Sequence, residues 1–545
     1  MWSLVSFLGL WSAVGGIYKL QAAPAVDPEL FERLPAVPEG WREVDTPSPS
    51  TQIRLRIALR QQNVQQFEQA VLDVSTPGHP RYGQHLARGD VKAMLRPTDT
   101  TISSVLDWLY SEGVSDSSIK SDGDWITFNV TVERANQILN TDFLTYRNSV
   151  NKVERIRTLR YSVPKNLHEA IVMIQPTTRF GQIRPQRSSA FSKDLFGYAD
   201  GIAKSDRLGF NNSFMSCNTT ITPSCLKQLY NVGDFKADPH NGNRLGICGY
   251  LNEFAKFDAL KVFLSEYAPE AAGSNFTVVS INGGRNDQNS TLPDEEANLD
   301  VQYGISMSHP VPNTYFTTGG LGPLVPDLDQ PTAADNQNEP YLDFLHYILG
   351  LEDHELPQTL TTSYGEDEQS VPDSYSRTVC QMFGQLGARG VSVIFSSGDT
   401  GVGSACQTND GKNTTRFLPI FPAACPWVTS VGGTFHVQPE RAIFFSSGGF
   451  SDRFPRPQYQ DTAVKDYLKL LGDQWKGLFN PNGRGFPDVA AQSSRFHFID
   501  QGREGLIDGT RSVADDSRKA LLEQPLLFAS ANLSLAAPRH RPSPP

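Results

Sequence analysis

The larger part of this chain is predicted to be an α/β unit with a mostly parallel sheet, preceded by a smaller α+β unit. Three observations carry the prediction. The chain has 545 residues, too many for one ordinary core. From Thr222 onward, short apolar runs bounded by Gly, Asn or Ser alternate with helical patterns. Such alternation gives a mostly parallel sheet with helices on both faces. Before that, residues 24–190 mix strands and helices without this alternation.

Taken in order, the apolar run from Trp2 to Ile17 carries no charge and is followed by Lys19 and by Ala22-Ala23 before Pro24. It reads as a secretory signal peptide over residues 1–23. No later stretch reaches 18 apolar residues, so no membrane anchor is expected. Asn-x-Ser/Thr sequons begin at Asn129, Asn211, Asn218, Asn275, Asn289, Asn413 and Asn532 and fit a secreted, extracellular glycoprotein.

In residues 24–190, Arg54–Leu59 and Asp124–Val130 read as strands, Gln62–Leu72 and Val132–Leu139 as helices. Lys and Arg are frequent here and acids in the later block. The first unit is either an ordinary basic domain or one that docks on the second electrostatically. Residues 181–215 are polar and irregular, with Arg184-Pro185-Gln186-Arg187-Ser188-Ser189, and suit a linker and cleavage zone; the linker proper is placed at 191–215.

In the second unit, Leu245–Leu251, Phe276–Ile281, Thr359–Tyr364, Val391–Ser397 and Trp427–Val431 are the expected strands. Phe257–Tyr267, Leu342–Leu349 and Ser374–Leu386 are the expected helices. Of six cysteines, Cys217 and Cys225 are the expected local disulfide, while Cys248 and Cys380 read as buried thiols. The spacing is not that of a zinc site. The balance of Lys+Arg 48 against Asp+Glu 59, a net charge of −11, does not suggest a nucleic-acid partner.

Two stretches carry candidate chemistry. In Asp294-Glu295-Glu296-Ala297-Asn298-Leu299-Asp300, Thr291, Pro293 and Asp294 read as a helix start, and Ala297, Val301 and Ile305 would face a core. Glu296 and Asp300 are four apart on one face of this half-buried helix. They are either a solvated acidic first turn favoured by the helix dipole or a pair kept for chemistry. Asp399, in Ser396-Ser397-Gly398-Asp399-Thr400-Gly401, follows a buried strand, where ligand sites lie on parallel sheets. It is either a turn former or a site acid. A single Asp-Thr-Gly does not make an aspartic protease, which needs two such acids. Gly-x-Ser-x-Gly and His-Glu-x-x-His are absent.

Together these motifs resemble the secreted fungal sedolisins, the serine-carboxyl peptidases that include tripeptidyl-peptidases. The resemblance rests on Glu296–Asp300, Ser363-Tyr364-Gly365 with Glu366 to Glu368, Ser396–Gly401, Phe421–Pro426, Ser430–Thr434, Phe445–Ser451 and Phe486–Ala491. Trp41 and Arg81–Leu86 similarly match the family's activation propeptide. The resemblance implies a subtilisin-like peptidase domain over 216–510 behind a ferredoxin-like propeptide over 24–190. It implies Glu296 as general base, Asp300 as its orienting partner and Asp399 as a protonated oxyanion donor. Peptide or protein substrates and the chain's own propeptide are the implied partners.

The departure comes at Asp508-Gly509-Thr510, where the family places Gly-Thr-Ser and this chain has Arg511, then Ser512 one position late. Residues 511–545 look unrelated to the family, and the family's calcium loop is not found in them. Calcium is therefore expected of the family but not of these residues. The chain as written is expected to lack its nucleophile; the alternative is a pseudo-peptidase that binds peptides or a partner without cleaving.

Overall fold

The computed structural model describes residues 28–34, 36–37, 41–148, 154–178, 180, 217–232, 235–332 and 335–510. The expected signal peptide, the linker at 191–215 and the tail at 511–545 lie outside the described residues.

The amino-terminal unit is built on a four-stranded antiparallel sheet of Gln52–Leu59, Ile119–Asp122, Trp125–Thr131 and Ile171–Gln175. In chain order the strands lie 2-3-1-4. Helices Val64–Ser75 and Asp99–Ser111 follow the first strand, and Val132–Ile138 follows the third. This βαββαβ arrangement is ferredoxin-like. The two-residue period of the first strand divides its side chains between two jobs. Leu55, Ile57 and Leu59 enter the unit's own core with Val105, Leu109 and Ile138. Ala58 faces the other way and joins Trp125 and Met173 in the core of the larger unit.

That second face is a docking surface. Arg56 pairs with Asp343 at 3.1 Å and Arg88 with Glu352 at 3.0 Å. The Leu86 N–H donates to the Ala388 carbonyl at 2.8 Å. Phe67 and Val71 pack on Ala388, and the Trp125 ring meets His346 edge-on at 4.2 Å. Burial there pushes the His346 imidazole down to about 3, so it docks neutral. The expected basic-on-acidic contact is present, but half-exposed ion pairs contribute little, and apolar burial supplies most of the attachment.

The larger unit holds seven parallel strands: Leu245–Gly249, Phe276–Ile281, Asn313–Thr318, Thr359–Thr362, Ser392–Ser396, Thr429–Phe435 and Val489–Gln492. In chain order they lie 2-3-1-4-5-6-7, with Arg441–Ala442 added antiparallel to the sixth. This is the expected mostly parallel sheet with helices on both faces. Successive residues of the first strand face opposite layers. Ile247 packs with helices Phe257–Tyr267 and Glu295–Ser308, and Cys248 packs with helices Tyr341–Gly350 and Asp373–Ala388.

Most expected elements appear within a few residues of their expected bounds. The strand expected at Trp427–Val431 instead runs Thr429–Phe435. Gly432 and Gly433 disguised its continuation; a Cβ on Gly432 would lie 2.6 Å from Pro487. Cys217–Cys225 is a disulfide, as expected, and Cys248 is a buried thiol. Cys380 is not a thiol: it is bonded to Cys425, tying helix Asp373–Ala388 to the turn after Phe421. The two are 45 residues apart, and the helical run around Cys380 gives no sign of a partner so far along the chain.

Closing a loop of this length stabilises a fold by about 4 kcal/mol in the chain-entropy account. Cys380→Ala together with Cys425→Ala should lower unfolding free energy by about 2–5 kcal/mol in urea titration. A midpoint unchanged from the parent would show that packing alone holds the helix.

Candidate active site

The site is organised by helix Glu295–Ser308, in which every residue from Glu296 to Met307 is buried. It lies between the sheet and the hairpin of strands Phe496–Asp500 and Arg503–Ile507. The half-buried helix expected from sequence is therefore buried all round. Its polar residues do not face water; they find partners. The helix begins one turn later than the Thr291 start suggests, with Asp294 at the N-cap. Asp294 caps no N–H of its own helix. Its carboxylate instead accepts the Phe254 N–H at 3.1 Å and pairs with Lys256 Nζ at 3.3 Å. Burial still holds the Asp294 carboxyl above its usual range, against the pull of Lys256.

Glu296 is 4 % exposed and Asp300 1 %, one turn apart on the helix. A solvated first turn is thus ruled out. Asp300 Oδ1 accepts the Ser363 hydroxyl at 2.9 Å, and Ser363 directly follows strand Thr359–Thr362. The phenols of Tyr315 and Tyr364 lie beside both acids and Glu253. Burial first, then these carboxylates, push both phenols well above their ordinary value, so both stay protonated.

Asn298 and Gln302 fasten the same helix to the hairpin. The Asn298 amide accepts from the Lys256 N–H at 2.8 Å and donates to Asp500 at 2.7 Å. Gln302 donates to the Ile499 carbonyl at 2.7 Å and accepts its N–H at 3.0 Å. Burial pushes the Asp500 carboxyl up to about 6, against the Asn298 hydrogen bond.

Asp399 arrives from the fifth strand of the sheet through Gly398, whose φ of +105° favours glycine. A Cβ there would lie 2.9 Å from Ser447 Oγ. Asp399 Oδ1 accepts both the Thr510 N–H at 2.7 Å and the Thr510 hydroxyl at 2.9 Å. Thr510 Oγ1 in turn accepts the Gly398 N–H at 3.1 Å. Thr510, the last described residue, is thereby pinned to Asp399. Arg511 and Ser512 lie outside the described residues.

All three candidate acids are thus buried or held at the carboxyl ends of the strands, where a parallel sheet keeps its ligands. Sequence reasoning missed Glu253, Tyr315 and Asp500 here, and gave no role to Ser363, Tyr364 or Thr510, although the last three stand in or beside quoted motifs. Among the described residues no group of three or more His, Cys, Asp or Glu side chains could hold a metal ion. No helix of the described residues is long and apolar enough to cross a membrane.

Replacing Asn298 by Ala removes two buried hydrogen bonds and leaves Asp500 and the Lys256 N–H without them. Unfolding free energy should fall by about 1–3 kcal/mol. A variant as stable as the parent in chemical denaturation would show that the Asn298 bonds add nothing to the hold of Gln302 and the apolar face.

Residues 39–180 match the family described as Pro-kumamolisin, activation domain. Over 487 residues the chain is 50% identical to a probable tripeptidyl-peptidase of Arthroderma benhamiae, covering 89% of this chain and 80% of that one. Over 494 residues it is 50% identical to a probable tripeptidyl-peptidase of Trichophyton verrucosum, covering 90% and 81%. Over 490 residues it is 50% identical to a tripeptidyl-peptidase of Arthroderma otae, covering 90% and 79%. With half its residues shared across most of each relative, and an activation domain at the expected place, the chain belongs to the sedolisin family of tripeptidyl-peptidases.

Proposed function

We propose that this sequence encodes the acid framework of a secreted serine-carboxyl peptidase that releases tripeptides from peptide amino termini, with the nucleophile replaced by Arg511. The observation that carries the reading is the Thr510–Asp399 pairing. It brings the backbone at position 510 to the acid that would face the oxyanion. Position 511 lies one peptide unit, about 3.8 Å, beyond. In this reading a hydroxyl at 511 is the group that Asp399 and the two helix acids serve.

In this reading Glu296 takes the proton of that hydroxyl as it attacks the peptide carbonyl. Asp300, fixed by Ser363, orients Glu296 and, when charged, strengthens its hold on the proton it gains. Asp399 stays protonated. Its Oδ1 already accepts two hydrogen bonds, the role of the carbonyl oxygen of an acid, so its proton would sit on Oδ2 and be given to the oxyanion. One acid must be ionised and another protonated at the same time, a condition met at acidic pH.

Arg511 supplies no nucleophile and keeps its charge at every working pH. That substitution favours a second reading, in which the chain as written binds peptides and does not cleave them.

The unaltered chain, expressed with residues 1–23 and acidified, should release no amino-terminal tripeptides. Replacing residues 511–545 by a family-like tail beginning with Ser should restore release. In the restored chain, Glu296→Gln should cut turnover by about 100- to 10,000-fold, and Asp399→Asn by about 100- to 1,000-fold. Turnover within a factor of two of the restored parent would remove the assigned role from that residue. Cleavage by the unaltered chain, abolished by Ser512→Ala, would show that the nucleophile lies one residue later.

A further inference from the structure

Three acids in succession follow the Ser363–Gly365 turn, and all three are buried: Glu366 is 5 % exposed, Asp367 5 % and Glu368 2 %. Runs of like charge ordinarily sit in water. Here Glu366 and Asp367 form a short strand paired antiparallel with Ile420–Phe421, and Glu368 opens the 3-10 turn to Ser370. The strap lies directly beyond Ser363, whose hydroxyl holds Asp300.

Each acid has its own surroundings. No N–H or O–H donor reaches either oxygen of the Glu366 carboxyl, and the acid beside it is Glu339, which is itself buried. The Tyr341 phenol and the Gly365 N–H also lie beside Glu339. The remaining charge acting on Glu366 is Asp367, another acid. The phenols of Tyr341, Tyr250 and Tyr375 surround the pair; they are uncharged, and the Tyr341 and Tyr250 phenols are pushed up first by burial, with Glu339 adding to it. The paired strand offers only Ile420 and Phe421. Asp367 accepts the Ser404 hydroxyl and faces Asp327, Asp329 and the Cys406 thiol. Glu368 accepts the Ser451 hydroxyl and the N–H groups of Asp452 at 2.9 Å and Arg453 at 3.0 Å. Arg453 attracts it and Asp452 repels it, while Arg453 also faces Asp373 and Arg377.

A buried carboxyl that no donor reaches and that lies beside a second carboxyl costs little when it keeps a proton, and much when both are charged. We propose that Glu366-Asp367-Glu368, with Glu339, is an acid lock: protonated, it holds the strap in the fold and so keeps Ser363 on Asp300; deprotonated, it releases the strap.

The sign follows from burial, the largest influence on each acid. It pushes Asp367 and Glu368 up to about 7 and Glu366 well above the usual carboxylate range. A carboxyl raised by folding stabilises the fold fully below its unfolded value, about 4.3 for Glu. That contribution is lost as pH rises through the folded value. Each such group takes up one proton on folding, so the folding constant falls about tenfold per pH unit per group across the window. The lock is therefore closed in acid and opens near neutrality.

The test uses the full chain as it stands and needs no turnover. Urea unfolding is measured from pH 4 to 8 for the parent and Glu366→Gln, with the exposed Asp473→Asn as control. The amide introduced by Glu366→Gln can donate to an ionised Glu339 without a shared proton. The variant's folding constant should fall about tenfold less per pH unit above pH ~4.5 than the parent's. The control should keep the parent's slope. After correction for intrinsic rates, amide exchange in residues 363–370 should quicken from pH ~4.5 to ~7.5 in the parent and much less in the variant. Parallel slopes, or exchange in that segment unchanged by pH in the parent, would overturn the lock. If Glu366→Gln does not fold, Glu339→Gln neutralises the same pair from the other side and is read by the same slopes.

Discussion

Burying Glu296, Asn298, Asp300 and Gln302 on one helix is the demand that the rest of the larger unit meets. A buried polar group left without a partner costs about 1–3 kcal/mol, and a charged one more. The partners come from three separate places in the chain. Lys256 and Asp500 serve Asn298, Ile499 serves Gln302, and Ser363 serves Asp300. The bonds to the hairpin matter most for the site. They fix Phe496–Asp500 on the helix, the paired strand returns to Ile507, and Thr510 then arrives at Asp399. The path from helix to hairpin to Thr510 links the helix that carries Asp300 to the turn that carries Asp399, far apart in sequence.

The activation domain meets a different part of the same sheet. Its contacts are with Asp343, His346 and Ala388, on the two helices that cover the face opposite the acid-bearing helix. It adds Ala58, Trp125 and Met173 to the core of that face. The acids are thus assembled from the peptidase unit's own elements, while the activation domain buries apolar surface behind them.

Much of this is legible in the sequence because it is local. Apolar runs and 3.6-residue patterns locate most strands and helices, and the motif Glu296–Asp300 points to the central helix. What fails does so for physical reasons. Asn313–Thr318 is rich in Thr and Asn and reads as polar, yet lies inside the sheet. Val489–Gln492 is too short to stand out. The central helix reads as half-buried because its polar residues look solvent-facing, while they answer to groups about 200 residues further on. Cys380–Cys425 and the Glu339–Glu366 pair share this property: each member is ordinary in its own stretch, and only the fold makes the pair.

The acids of the site and those of the strap obey one rule. A carboxyl taken from water keeps its proton unless a cation or several N–H groups offset the lost hydration. At Asp294, Lys256 and a backbone N–H offset part of that cost. At Asp367 and Glu368 hydroxyls and N–H groups offset part of it, and at Glu366 no donor does. Catalysis by a carboxylate base and a carboxylic acid donor asks for the same range of pH in which such a scaffold is most stable. A histidine base would ask for the opposite, since it must be neutral to accept a proton, and would have to work where the buried carboxyls begin to ionise. On the proposed roles, the carboxylates at the centre and the buried carboxyls around them are therefore consistent with each other, since both ask for acid rather than neutral pH.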